Sequence, residues 1–169
     1  MRELLLLRHA KSSRDDPALA DFDRPLSGRG RRDAPRMGAL AAARGWRPDH
    51  AIVSPALRTR QTWDMARPAL GNVATRYDDA IYEAAPTAIL AAIRAAPPGA
   101  RRLIVIGHNP GLEDLSAILA SDRSDAAALA ALREKFPTGA LARFEVEAEW
   151  RNLAGGGARL ADFVRPKDL

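Results

Sequence analysis

The chain has 169 residues, 47% hydrophobic and 28% charged, which excludes a disordered polymer and provides for one domain over 1–169 with a core of its own. It has no cysteine, so disulfide stapling, thiolate zinc ligation and a thiolate nucleophile are excluded. Lys and Arg outnumber Asp and Glu by 26 to 21, a formal +5 carried mostly by arginine, whose planar fork of donors suits the oxygens of a phosphate or carboxylate.

The amino terminus, Met1-Arg2-Glu3-Leu4-Leu5-Leu6-Leu7-Arg8, has four leucines, too few for a signal-peptide core or a membrane span, so a cytoplasmic protein that does not meet the membrane is expected. Residues 3–7 are apolar without a break from Leu4 on, the pattern of a strand buried on both faces of a parallel sheet. Ser27-Gly28-Arg29-Gly30 reads as the entrance to a helix running to Arg44. Pro35 lies inside it and has no N–H for the carbonyl of Arg31, which predicts a late start or a kink. Residues 50–54 repeat the apolar strand pattern. Residues 87–96 have helical spacing, with Ile89, Leu90 and Ile93 on one face and Pro97-Pro98-Gly99 as the stop.

Residues 103–107 form a third apolar run. Residues 121–131, polar and then rich in alanine, predict a loop leading into a helix that ends before Pro137. From 141 to 150, Phe144, Val146, Ala148 and Trp150 alternate with Arg143, Glu145, Glu147 and Glu149, the period of a half-solvated strand. Gly155-Gly156-Gly157 allows a turn, and residues 159–164 read as the returning partner. The alternation of strand and helix predicts an α/β fold: a three-layer αβα domain with a mainly parallel central sheet and an antiparallel edge near the C-terminus.

Three apolar runs lead into polar residues: 4–7 into Arg8-His9, 52–53 into Ser54-Pro55-Ala56-Leu57-Arg58, and 103–106 into Gly107-His108-Asn109-Pro110. The carboxyl ends of strands in an open α/β sheet form the crevice where ligands bind. Ser54 reads as an N-cap with Pro55 at the first helical position, and Asn109-Pro110 repeats the arrangement, so two helix N-termini favourable to an anion are expected there. Taken singly, each residue has a plain structural reading: a histidine at a strand end as a hydrogen-bonded core residue, Arg58 as a solvated cation or a carboxylate partner. Taken together, Arg8, His9, Arg58 and His108 describe a phosphate pocket.

Arg8-His9, Ser54-Pro55-x-x-Arg58-x-x-Gln61-Thr62 and Gly107-His108-Asn109-Pro110 resemble, in order, the three signatures of the histidine phosphatase superfamily. Asp23-Arg24-Pro25-Leu26-Ser27 and Lys135-Phe136-Pro137-Thr138-Gly139-Ala140 resemble the small SixA-type members. The resemblance implies that His9 is the nucleophile of a phosphohistidine intermediate, with Arg8, Arg58 and His108 holding the phosphoryl oxygens. It implies Glu83 as general acid for an alkoxide leaving group, and adds Arg24 and Asn109 as substrate-binding residues. Glu113 and Asp114 are competing carboxylates that read as helix-dipole partners. Ala10 stands where most of the superfamily has glycine, and Lys11-Ser12-Ser13 lacks the Glu-Thr continuation of the mutases, which favours a phosphatase over a mutase.

No cofactor or metal is expected, since three scattered histidines and Asp15-Asp16 lack ligand spacing. Nucleic acid is not an expected partner: the arginines are scattered and aromatic residues make up 5%, leaving no basic tail or stacking platform. The expected partner is a protein carrying phosphohistidine or a small phosphomonoester. The rivals are a phosphoglycerate mutase-like enzyme, a broad phosphomonoesterase, and a non-catalytic module that binds phosphate in the same cationic pocket.

Overall fold

In a computed structural model describing residues 1–169, six strands form one sheet in the order β3-β2-β4-β1-β5-β6. β1 (Arg2–Arg8) lies near its centre because Leu4 to Leu7 have nowhere polar to face, all four being at most 2% exposed. It pairs in parallel with β4 (Arg102–Gly107), which pairs in parallel with β2 (His50–Val53). On its other side β1 pairs antiparallel with β5 (Leu141–Val146), and β5 antiparallel with β6 (Ala158–Val164).

Side-chain alternation along β1 divides the core. Leu5 and Leu7 join Met37, Ala41 and Trp63 of α1 (Gly28–Ala43) and α2 (Leu57–Ala66). Leu4 and Leu6 join the apolar faces of α3 (Pro86–Arg94), α4 (Gly111–Leu119) and α5 (Ala126–Glu134) on the opposite side. Each buried leucine stabilises the sandwich by about 1.5–3 kcal/mol relative to exposure. The result is the expected three-layer αβα fold with an antiparallel C-terminal edge. No helix is long and apolar enough to cross a membrane.

Four local expectations are corrected. β3 (Ala74–Tyr77), the parallel edge strand beside β2, has no counterpart in the sequence reading, because its four residues are largely exposed and carry no apolar run. The strand expected to reach Trp150 ends at Val146; Trp150 sits in a short 3₁₀ turn, buried, with Nε1 donating to the carbonyl of Ala100 at 2.7 Å. α1 begins at Gly28, not late, and continues through Pro35, which is exposed, so water can reach the carbonyl of Arg31 that Pro35 leaves without a helical donor. The N-caps of α2 and α4 are Ala56 and Pro110, neither with a side-chain cap bond, so the helices open two residues beyond the expected Ser54 and one beyond Asn109. At α2, Thr59 Oγ1 donates to the carbonyls of Ser54 and Ala56, fixing the turn and releasing the Ser54 hydroxyl for other work.

Candidate active site

The carboxyl ends of β1, β2 and β4 converge on a cavity of about 440 Å³ whose wall includes Arg8, His9, Arg24, Arg58, Glu83 and Asn109 and no hydrophobic side chain. His9 follows β1, and its N–H donates to the carbonyl of Gly107 at the end of β4. From the far side, Gly139 donates its single N–H to the carbonyls of Arg8 and His9 at 3.1 and 3.0 Å. Gly139 has φ +79°, a left-handed conformation that glycine takes without strain, and this brings the loop after α5 against the backbone of His9.

The tautomer of His9 follows from its neighbours. Nδ1 lies 2.8 Å from the carbonyl oxygen of Ala10, which can only accept, so Nδ1 carries the proton and Nε2 is left with its lone pair. Burial pushes the imidazole down to about 3, with the Ala10 bond opposing and His108, Arg58 and Arg8 reinforcing, so at neutral pH the ring is uncharged. Ala10 is itself held, its N–H donating to Thr62 Oγ1 at 3.0 Å, while Gln61 Oε1 accepts from the N–H of Leu26. The paired Gln61-Thr62 of the second motif thus ties α2 to the residue after His9 and to the loop that carries Arg24.

Arg58, 1% exposed, is held at the start of α2 by Asp21 and Glu83, and also reaches His108. Nη1 donates to the carbonyl of Asp21 at 2.8 Å, and Nη2 to Asp21 Oδ2 at 3.0 Å and to Glu83 Oε1. Arg8 Nη1 donates to the carbonyl of Phe136 at 3.0 Å. In both guanidiniums the Nε–H is buried and has no partner. Buried donors without an acceptor are rare; these two belong to residues of one cavity wall with the nitrogens themselves covered, and Arg2 at the opposite end of β1 has another.

His108 stands 5.4 Å from His9, ring centre to ring centre. Its Nδ1 accepts from Arg58 Nη2 at 3.3 Å, so Nε2 carries the proton and donates to Ser54 Oγ at 2.7 Å. Burial first and Arg58 second push this ring down to about 3 as well. Being neutral, it forms no ion pair with Glu83 Oε1, 3.4 Å from Nδ1.

Of the remaining predicted residues, Arg24 reaches the cavity with Nη1 on Ser12 Oγ at 2.8 Å and its other nitrogens on Asp21 Oδ1. Asn109 lines the cavity, but Nδ2 donates to the carbonyl of Phe136 and Oδ1 accepts from the N–H of Glu113, so both polar atoms are engaged with the protein. Glu113 Oε1 accepts from the N–H of Phe136, which makes it a brace for that loop. Glu83 enters the site from a backbone with φ +48°, a sparsely populated conformation for a side chain other than glycine.

Two participants escaped the sequence reading. Asp21 accepts from Arg58, from Arg24 and from the hydroxyl of Tyr82 at 2.6 Å; Tyr82 foremost, then the arginines, hold its carboxyl well below the usual carboxylate range. Tyr82 in turn presents its ring edgewise to His108 and to Phe22. The only sequence signal for Asp21 is its place two residues before the Asp23-Arg24-Pro25 stretch.

The histidine phosphatase superfamily (branch 1) matches residues 4–105 of the chain. An uncharacterized protein of Mycobacterium tuberculosis is 36% identical over 162 residues, covering 95% of this chain and 100% of that one. Among solved structures, a protein of Agrobacterium tumefaciens assigned as the phosphohistidine phosphatase SixA superposes with a TM-score of 0.81 at 34% identity, covering 98% of both chains. A protein of Nakamurella multipartitia with the same assignment does so with a TM-score of 0.83 at 32% identity, covering 98% of this chain and 96% of that one.

Proposed function

The chain belongs to the histidine phosphatase superfamily, branch 1, and from that premise we propose that it is a SixA-type phosphatase acting on phosphohistidine. One observation carries the reading. A neutral imidazole with a free Nε2 shares a cavity with the guanidiniums of Arg8, Arg24 and Arg58. A phosphoryl group supplies the electrophile for the first and the acceptors for the others.

In the first step His9 Nε2 attacks phosphorus. The new P–N bond forms as the bond from phosphorus to the leaving imidazole nitrogen or ester oxygen breaks. Arg8, Arg58 and Arg24 face the charge on the non-bridging oxygens, and neutral His108 holds Arg58 in place through its Nδ1. Glu83 delivers a proton to the leaving atom. In the second step water attacks phosphorus, Glu83 takes its proton, the P–Nε2 bond breaks, and orthophosphate leaves with His9 neutral again. The positive charge that a metal supplies in other phosphatases comes here from guanidiniums, so the reaction is read as metal-independent. Asn109 serves by positioning the Phe136 loop.

A second substrate class, small phosphomonoesters, is favoured by one feature. Glu83 sits beside Arg58 and His108, where an alkoxide leaving group would need its proton. The test of both is the covalent intermediate. Radiolabelled phosphohistidine protein and a labelled ester are each mixed with enzyme and quenched in alkali, with and without EDTA. Label on the enzyme that survives alkali, is released by acid and is absent in His9→Ala supports the reading. Full turnover by His9→Ala would overturn it.

A further inference from the structure

Beyond the phosphoryl seat, the same cavity has an outer wall that the mechanism leaves unused. Five cationic side chains line the cavity, Arg8, Lys11, Arg14, Arg24 and Arg58, against two carboxylates, Asp21 and Glu83. Both carboxylates are spent on the inner arginines, Asp21 on Arg24 and Arg58, Glu83 on Arg58. Lys11 and Arg14 have no carboxylate, carbonyl or hydroxyl partner for their side chains and are exposed. Their backbone is fixed all the same: Ser27 donates its N–H and Oγ–H to the carbonyl of Lys11 at 2.8 and 3.0 Å, and Ser13 donates its N–H to Pro25.

Charge and wall chemistry then limit the substrate. A phosphomonoester brings about −1.5 to −2 near neutral pH, less than the cavity's surplus of three positive charges. Small-molecule sites ordinarily grip their ligand with apolar side chains, and this wall has none. Whatever adjoins the phosphoryl group is therefore held by charge and hydrogen bonds. We infer that Lys11 and Arg14 form a second-anion subsite, selecting substrates with a further carboxylate or phosphate close to the transferred phosphoryl group.

This inference rests on the proposed phosphatase reading for the identity of the inner seat, and its test reads binding alone. Two pairs of non-hydrolysable phosphonates are titrated calorimetrically at low salt. One pair is a short alkyl phosphonate and its ω-carboxylate; the other is a peptide with a phosphonate analogue of phosphohistidine flanked by glutamine or by glutamate. The expected result is a preference of about tenfold for the anionic member of at least one pair, the scale of two exposed charge pairs, shrinking with added salt. In Lys11→Gln/Arg14→Gln it falls below about twofold. Whichever pair shows the preference identifies the source of the anion, small metabolite or acidic protein segment. Equal affinities within both pairs, or a preference that persists in the double variant, overturns the inference. A failure to trap phosphate on His9 would instead remove the phosphatase reading and leave the binding result standing.

Discussion

Asp21 Oδ2 accepts from Nη2 of Arg58 at 3.0 Å while the carbonyl of Asp21 accepts from Nη1 at 2.8 Å, so one residue holds both ends of the buried guanidinium. The arrangement sets two effects against each other: it orients Arg58, and it places a negative charge beside the seat of an anion. Asp21→Asn removes the charge while the main-chain carbonyl and the amide oxygen still accept from Arg58, at the cost of turning the amide nitrogen toward the donors of Arg24. The expected result is tighter inhibition by orthophosphate, by about threefold to tenfold, as for a charge pair of partly exposed groups. An inhibition constant that is unchanged or raised would show that orientation by the carboxylate outweighs its repulsion.

The two imidazoles make stability fall with acidity in a definite window. Both have folded values of about 3 against the ordinary 6.5, so the folded protein does not take up protons that the unfolded chain binds. Stability from this source is complete above about pH 6.5 and is lost progressively as pH falls toward about 3. Asp21 adds to the loss below its ordinary 3.8, since its carboxyl is lowered in the fold. Calorimetry should give a melting temperature that drops between about pH 6.5 and 4, with a shallower slope in His9→Asn. In kcat/KM no ionisation of His9 should be seen near pH 6.5; a limb there that vanishes on correcting for the substrate's own phosphate ionisation is expected, and one that remains would contradict a neutral His9.

What the sequence made legible follows from how local its physics is. Strands β1 and β4 are visible because burial on both faces demands an unbroken apolar run, and His9 and His108 are visible because they stand at the ends of those runs. β3 has no such demand at the sheet's edge. Trp150 continued an alternation that the backbone abandons after Val146, since a large ring can reach the core from a turn as well as from a strand. Ser54 has the chemistry of a cap, yet its hydroxyl serves a histidine 54 residues away. Asp21 and the carbonyl of Phe136 reach the site from distant loops, so no spacing announces them.

Ser54 gives a separable test of tautomer control. With Ser54 Oγ accepting from Nε2, the Nδ1 lone pair of His108 faces Arg58. Ser54→Ala leaves a buried donor unsatisfied, a loss of about 1–3 kcal/mol in stability. It should also alter the tautomer, so the ¹⁵N shifts of His108 move while those of His9, held by Ala10, stay in place. A kcat/KM lower by about tenfold or more is expected from a ring that no longer holds Arg58 beside the phosphoryl seat. Unchanged His108 shifts would mean that Arg58 alone sets the ring.

Glu83 can be tested from two directions, through its charge and through its support. Glu83→Gln removes the proton but keeps an acceptor for Arg58. In kcat/KM, which reads the phosphorylation step alone, alkyl phosphates, whose alkoxide must be protonated, should fall by about 10²–10⁴, while substrates with good leaving groups, phosphohistidine or an aryl phosphate, should fall by less than about tenfold. The support lies in Gly111 at the start of α4, where an added Cβ would come within 2.2 Å of the carbonyl oxygen of Ala84 and 2.8 Å of Ile89 Cδ1. Backbone cannot yield as a flexible side chain can, so Gly111→Ala must shift the segment that holds Glu83 in its left-handed conformation. The two variants should then show the same discrimination between leaving groups, with Gly111→Ala also losing stability. Equal losses on both substrate types in Glu83→Gln would reassign Glu83 from proton donor to a mere partner of Arg58, and Gly111→Ala would then be expected to act on stability alone.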